Sequence, residues 1–427
     1  MLRKELVLAV ILCTFWACNL QAAQINSTWV GGALGDWGVA SNWNPATVPN
    51  NGGSQTFAVT INGPPSKAQV GIYSGYAVNS IATYGNVKID RWEYGPVMEL
   101  IIFNGLNNYG DLELLMKIRG NITNNTNATL SFWDKSLTIY DCNLYNANGA
   151  TIEFGVEIDF SNGSVKNDGV YQASSSGGFS ESNIFLNNGQ VQLYDGGANG
   201  AVFDNNTTGT IKGFGHVTGG QLQNRGSIEA VWGQLVLYFD SITSTGLLKT
   251  NPGTDLFIHT SGSDVNNQGT IEINAGGSVV CDANLVNQPN SVIALKGGTL
   301  GAKNITQKAG AKLEGDGKIS GNLILQTNAH AAFTGPTEIY GKLQIDANAV
   351  LDVNDGTTLI TGQTTCNGTI HMKGGRIIPQ GGLTGDCHII WEPGTYTNIA
   401  DFNLDGKVNF CDFAYFADTW LWESGWQ

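Results

Sequence analysis

Between about Asn108 and Met372 one short phrase keeps returning: a small polar residue, often Asn, then Gly, then residues that alternate between apolar and polar. It reads Tyr109-Gly110-Asp111-Leu112-Glu113-Leu114, Asn148-Gly149-Ala150-Thr151-Ile152-Glu153-Phe154 and Asn188-Gly189-Gln190-Val191-Gln192-Leu193. Later copies are Arg225-Gly226-Ser227-Ile228-Glu229, Gln268-Gly269-Thr270-Ile271-Glu272-Ile273 and Asn367-Gly368-Thr369-Ile370-His371-Met372. The glycines fall at 110, 149, 169, 189, 209, 226, 246, 269, 310 and 368, and Ala128, Asn290, His330 and Ala349 fill the missing steps. The period is about 20 residues over about 14 repeats, the mark of a solenoid.

Alternation of period two describes a strand with one buried face, and no sustained helical spacing interrupts it. One such strand cannot bury its face alone, so the repeats must stack. A coil of about 20 residues holds three short strands and three bends, each strand pairing in parallel with its equivalent one coil away. The expected fold is all-β, a parallel β-helix over residues 57–391. Asn and Gly suit its bends because both tolerate the left-handed backbone of a sharp corner. Asn148, Asn167, Asn187, Asn206 and Asn224 recur near the period, so their amides are expected to stack as a hydrogen-bonded ladder.

A solenoid lengthens by addition, so 427 residues need not mean several globular domains. A charged fraction of only 13% with plentiful apolar residues fits an all-β array better than a disordered chain. The formal charge of -14, with Lys and Arg scattered singly, argues against a nucleic-acid partner or an anionic membrane. It also disfavours acidic polysaccharides unless calcium or a local cationic pocket mediates.

At the start, Arg3 and Lys4 precede the apolar run Leu6 to Ala17, and small residues follow at Ala22-Ala23. Residues 1–23 read as a secretory signal peptide, too short in its apolar run to span a bilayer. No later segment is apolar enough to be transmembrane, so the expected location is secreted, extracellular or at the cell surface. Beyond the signal remain Cys142, Cys281, Cys366, Cys387 and Cys411. Cys366 and Cys387 lie about one coil apart; either they form a disulfide or they are two small buried apolar residues.

Residues 24–56 carry Trp29, Trp37 and Trp43 ahead of the first strand-like run, Phe57 to Ile61. A solenoid needs a cap over its first coil, and this aromatic segment suits that role. A carbohydrate-stacking surface is the other reading of the three tryptophans. The order Trp29-Val30-Gly31-Gly32, Trp37, Asn42-Trp43-Asn44 and Val48-Pro49 resembles the opening of secreted bacterial autotransporter-like β-helix proteins. Irregular coils then fill residues 57–103, with Trp92 and Tyr94 in a loop.

The tail, residues 392–427, opens with Pro393-Gly394 and leads to Asp401-Phe402-Asn403-Leu404-Asp405-Gly406-Lys407-Val408-Asn409-Phe410-Cys411-Asp412. Oxygen donors occupy loop positions 1, 3 and 5 (Asp401, Asn403, Asp405), and Gly406 supplies the sharp turn. Lys407 offers its backbone carbonyl, and Asn409 and Asp412 complete a calcium loop. Phe413, Phe416, Ala417, Trp420 and Leu421 follow at helical spacing and give one apolar face. With no incoming helix and Asp at the closing position, the loop resembles a type I dockerin repeat. That resemblance implies Ca2+ binding and a cohesin-like or cell-surface partner. Dockerins carry two such repeats, whereas this chain has one, with Phe410 and Cys411 at the positions that commonly choose the cohesin. The apolar helix would equally serve to cap the C-terminal end of the solenoid.

Pectin-lyase-like parallel β-helices include polysaccharide lyases and hydrolases, so that resemblance raises an enzymatic reading. Such chemistry needs paired carboxylates on one outer face. In Val156-Glu157-Ile158-Asp159-Phe160 the apolar residues point inward and Glu157 and Asp159 outward, about 6 to 7 Å apart. Asp141, 18 residues earlier, would sit beneath Asp159 on the neighbouring coil. Alternating carboxylates on a solvated strand read the same way. The five histidines show no metal spacing, and no nucleophile elbow or phosphate loop is present.

The sequence therefore points first to a secreted, non-catalytic β-solenoid, structural, adhesive or glycan-contacting, with a dockerin-like tail for attachment. The alternative is a polysaccharide hydrolase or lyase carried by that tail. Carboxylates clustered in a groove beside aromatics such as Trp133, Tyr194 or Trp232 would favour the enzyme; a flat Asn/Thr/Ser surface would favour the scaffold.

Overall fold

The computed structural model describes residues 22–52, 55–91, 99–133, 137–175, 177–179 and 182–392. Most of the segment 1–23 read as a signal peptide, the residues Trp92 and Tyr94, and the tail from residue 393 lie outside the described residues. The chain divides into two compact units, one of residues 1–271 with 277–283, the other of residues 272–276 with 284–427. Both are parallel β-solenoids. They hold about 16 turns, more than the repeat count, because the irregular coils before Asn108 are full rungs as well.

In the first unit a coil has three strands. Asn143–Asn146, Thr151–Phe154 and Glu157–Ser161 make one coil, and Ser164–Asn167, Val170–Ser174 and Gly178–Phe179 the next. Each pairs in parallel with its successor, Leu144 with Val165, Ile152 with Tyr171 and Ile158 with Phe179. Residues equivalent in successive coils therefore stack in columns, and a period-two pattern sends whole columns inward. Phe132 lies on Phe154 at 5.0 Å and Phe185 on Phe203 at 4.5 Å, all fully buried. Stacking like on like fills the interior at van der Waals contact while each coil adds its own share of apolar burial.

The segment 24–56 is built as a coil. Ala23–Trp29 pairs in parallel with Gln55–Asn62, and Leu34–Asp36 with Ala68–Ile72. Trp29, Trp37 and Trp43 are buried in one edge-to-face cluster with centroids 4.7 and 5.0 Å apart. The Trp37 indole donates to the Pro49 carbonyl at 3.0 Å, and the Trp43 indole to that of Trp37 at 2.8 Å. Burial removes their ring faces from any sugar, so the carbohydrate-stacking reading of these three residues does not hold.

The amide ladder exists, with two members corrected. It runs Asn108, Asn124, Asn146, Asn167, Asn187, Asn205 and Asn224, each Nδ2 donating to the next Oδ1 at 2.8 to 2.9 Å. Thr83 donates into the first amide and Asn224 donates to Ser244. Asn146 and Asn205 stand where spacing suggested Asn148 and Asn206. The strand's inward phase decides between neighbouring asparagines, because the ladder residue must point into the corner. Each fully buried amide also bonds a carbonyl of the next coil, as Asn146 does to Val170 at 2.9 Å, so the network leaves no amide donor stranded. Sequence separations along it run from 16 to 25, so coils vary in length while the corner stays fixed.

The corner glycine has a different cause from the expected one. At Gly246 a Cβ would stand 2.0 Å from the Gly226 carbonyl oxygen, and its φ is not left-handed. The coils touch there through bare backbone. Where Ala128, Ala150 or Ala349 fills the column instead, the preceding residue, Asn127, Gly149 or Asn348, takes the left-handed conformation. Pairing of Val292 with Lys312 and of Lys312 with His330 puts Ser291, Ala311 and Ala329 in the equivalent column, one place from Asn290, Gly310 and His330.

In the second unit Asn287 donates to Gln307 at 2.7 Å, and a further ladder links Asn284, Asn304 and Asn322 at 2.9 Å. Cys366 and Cys387 form a disulfide between adjacent coils, with Cα atoms 4.9 Å apart. Of the two readings of this pair, the covalent one holds.

Candidate functional site

Glu157 and Asp159 are both exposed, with Ile158 and Phe160 buried between and beyond them, as the alternation required. Asp141 does not join them. Asp159 pairs with Thr138, and Asp141 stands beyond the end of that strand at Tyr140, in a left-handed conformation with φ 50. Its carboxylate pairs with Arg119 at 2.9 Å. An 18-residue interval falls short of this coil, whose register offset from Thr138 to Asp159 is 21. Trp133 lies across Gly155, where a Cβ would come within 2.0 Å of its ring. Tyr194 and Trp232 stack on each other at 5.7 Å, 15° from parallel.

The loop residues Asp401, Asn403, Asp405, Lys407, Asn409 and Asp412 lie outside the described residues. Their donors are all oxygen, the chemistry a hard cation such as Ca2+ takes. Among the described residues no group of three His, Cys, Asp or Glu side chains converges on a point that would hold a metal ion.

The first unit carries a richer site that local sequence windows do not contain. Gly215–Gly219, the stretch from Gln234 to Phe239, Asp255–Thr260 and Ser278–Cys281 lie side by side in register. Their outward residues form columns: His216 leads into the apolar Val236, Phe257 and Val280, and Thr218, Tyr238 and His259 run beside them. Tyr238 stacks on His259 at 4.6 Å and 9° from parallel, and Phe257 stands 6.4 Å from the same imidazole at 16°. Tyr238 is 48% exposed. Its register neighbour on the other side is the short Thr218, followed by Gly219.

A groove of about 480 Å³ adjoins this column, lined by Thr218, Gly219, Tyr238, Phe239, Asp240, His259, Thr260 and Ser261. Carboxylates border it. His259 Nδ1 stands 2.9 Å from Asp282 Oδ2, and Asp282 Oδ1 accepts the Thr260 backbone N–H at 3.1 Å. Donation from Nδ1 makes Nε2 the ring's acceptor in the neutral form. Ser261 donates to Asp240 at 2.7 Å. A half-exposed aromatic ring beside oriented carboxylates, hydroxyls and an imidazole can stack against the C–H face of a sugar ring and exchange hydrogen bonds with its hydroxyls. These residues come from separate coils, 21 and 23 positions apart for the two bonded pairs. The signal that would have found them is the coil period applied to His, Tyr and Asp rather than to Gly.

The second unit holds a compact ion cluster. Asp352 is only 8% exposed and takes three donors: Lys373 Nζ at 2.9 Å, His330 Nε2 at 3.0 Å and His371 Nδ1 at 3.2 Å. Burial would raise the carboxyl's pKa, but hydrogen bonds from Lys373 and His330, with their positive charge, outweigh it and hold it below the usual range. The same bond raises the Lys373 ammonium. The two imidazoles bond different oxygens of the carboxylate and so bracket it.

Comparison with protein-family models, with curated proteins and with solved structures finds no match. The fold itself defines the class: an all-β parallel β-solenoid. No helix among the described residues is long and apolar enough to cross a membrane.

Proposed function

We propose that this chain is a secreted, non-catalytic β-solenoid that contacts neutral glycans through the outer face of its first unit, with the C-terminal loop binding calcium. The observation that carries the reading is the half-exposed Tyr238 ring, stacked on His259 and lining one groove with Asp240, while Asp282 holds the His259 imidazole. Stacking supplies contact area at low entropic cost, and the carboxylates accept hydroxyl hydrogen bonds while repelling uronate or sulfate. Export is supported by the basic, apolar and small-residue order of residues 1–23, and calcium by the spacing of Asp401, Asn403, Asp405, Asn409 and Asp412.

Affinity electrophoresis in gels containing soluble neutral polysaccharides tests it. Retardation is expected for the wild type and should fall at least tenfold in apparent affinity for Tyr238→Ala. Equal retardation of both proteins would refute the assignment. A second reading, polysaccharide hydrolysis, draws on Asp240 and His259 sharing that groove. Reducing-sugar release by the wild type that disappears in Asp240→Asn would favour it over the non-catalytic one.

A further inference from the structure

The second unit's inward columns end abruptly. Leu343 and Thr364 are fully buried in one column, yet Leu383, their successor in register, is 40% exposed. Leu351 and Ile370 are fully buried in another, and Ile389 follows at 36%. In a third, buried Leu359 gives way to half-buried Ile377. One apolar residue from each face is thus laid open on the last described coil. An uncovered solenoid end exposes both apolar interior and unpaired strand edge, which soluble chains cover. In the other unit the first described coil buries three tryptophans. Here the disulfide Cys366–Cys387 ties the last coil to its neighbour but puts nothing over Leu383 or Ile389.

The chain leaves that coil at Glu392 and continues for residues 393–427. We propose that this segment is the cap: it folds back over the open coil and lays Phe413, Phe416 and Trp420 on Leu383, Ile389 and Ile377. The stretch from Glu392 to Asp401, at up to about 3.3 Å per residue, is long enough to return to the coil's centre. The spacing of Phe413, Phe416, Ala417, Trp420 and Leu421 puts one apolar stripe on a helix of the length a coil end can hold. Calcium in the Asp401–Asp412 loop would then fix the helix against the strands, and the tail would be part of the solenoid's core rather than a free arm.

Hydrogen exchange on the full chain, in calcium chloride and in chelator, tests this. The amides of His388–Trp391 should exchange at least tenfold faster in Trp420→Asp than in wild type with calcium. The Asp401→Ala, Asp405→Ala variant, and wild type in chelator, should lose the same protection. Unchanged exchange at Val350–Asn354 shows that the variants are folded. Equal exchange at His388–Trp391 in wild type and Trp420→Asp would overturn the cap. So would protection that rises with protein concentration alongside a dimer in light scattering, since a second copy would then be the cover. Calcium binding without any change at these amides would overturn it too and leave the tail an outward module.

Discussion

Replacing Asp352 by Asn should weaken the second unit near neutral pH and do nothing in strong acid. The carboxylate accepts from Lys373, His330 and His371, three side chains drawn from two other strands. A charge-assisted bond to a buried group is worth about 1.5 to 3 kcal/mol, whereas an exposed pair is worth about 0 to 1. Asp352 is nearly buried, but its partners are not: the His330 side chain is 47% exposed and those of His371 and Lys373 are each 29%. Lys373 also keeps Glu392 at 3.9 Å when Asp352 is neutralised. Weighting each link toward the surface value gives a loss of about 2 kcal/mol. The sign with pH follows from the depressed carboxyl. Its stabilisation is complete above the unfolded carboxylate value of about 3.9 and fades as pH falls through the lower folded value. Lys373, being raised, keeps its share until pH climbs past the ordinary lysine range. A solenoid opens locally, so exchange of the Val350–Asn354 and Thr369–Lys373 amides is the proper readout. At pH 7 the variant should exchange about thirtyfold faster, the equivalent of 2 kcal/mol. Urea unfolding at pH 2.5 should show the two proteins converging. Equal exchange at pH 7, or a difference that survives undiminished at pH 2.5, would refute the reasoning.

Substituting Asn187 by Leu strands the Asn167 donor and the Asn205 acceptor in a dry corner, so thermal melting should report a loss of about 3 kcal/mol. Gly246→Ala drives a Cβ onto the Gly226 carbonyl and should cost about 1 to 3 kcal/mol, whereas Gly52→Ala, with nothing within 4 Å, should melt like wild type. Reducing Cys366–Cys387 should lower stability by about 3 kcal/mol at most, seen as a shifted urea midpoint with unchanged slope. Cys142 and Cys281 are buried, and burial pushes each thiol up to about 12, so iodoacetamide should label neither until the chain is unfolded.

What could be read in advance follows from which interactions repeat. The coil period, the inward alternation and the stacked amides recur from coil to coil, so a single sequence contains its own comparison. Column membership was harder. Asn146 against Asn148, and Ala311 against Gly310, differ by one place, and only strand pairing fixes the phase, because a one-residue slip turns a side chain from core to solvent. Spacing also counts residues rather than coils: an 18-residue interval puts Asp141 beneath Asp159, whereas the coil there spans 21.

The outer faces repeat nothing, which is why the groove at Tyr238 was invisible. Each coil there contributes one side chain: Thr218 for clearance, Tyr238 for the face, His259 for backing and Asp282 for orientation. No local window contains two consecutive members. In a solenoid, however, residues one coil apart are neighbours as surely as i and i+4 are on a helix. Chemistry on such a scaffold is therefore written across the sequence at the coil period, and a search for polar and aromatic residues at that interval reaches both Tyr238–His259–Asp282 and His330–Asp352–His371. In the first set the Asp282 carboxylate and the Tyr238 ring are both exposed, whereas in the second the carboxylate is nearly buried beneath its three donors. That difference in the carboxylate's burial, more than residue type, makes the first the place to look for a ligand and the second a staple between coils.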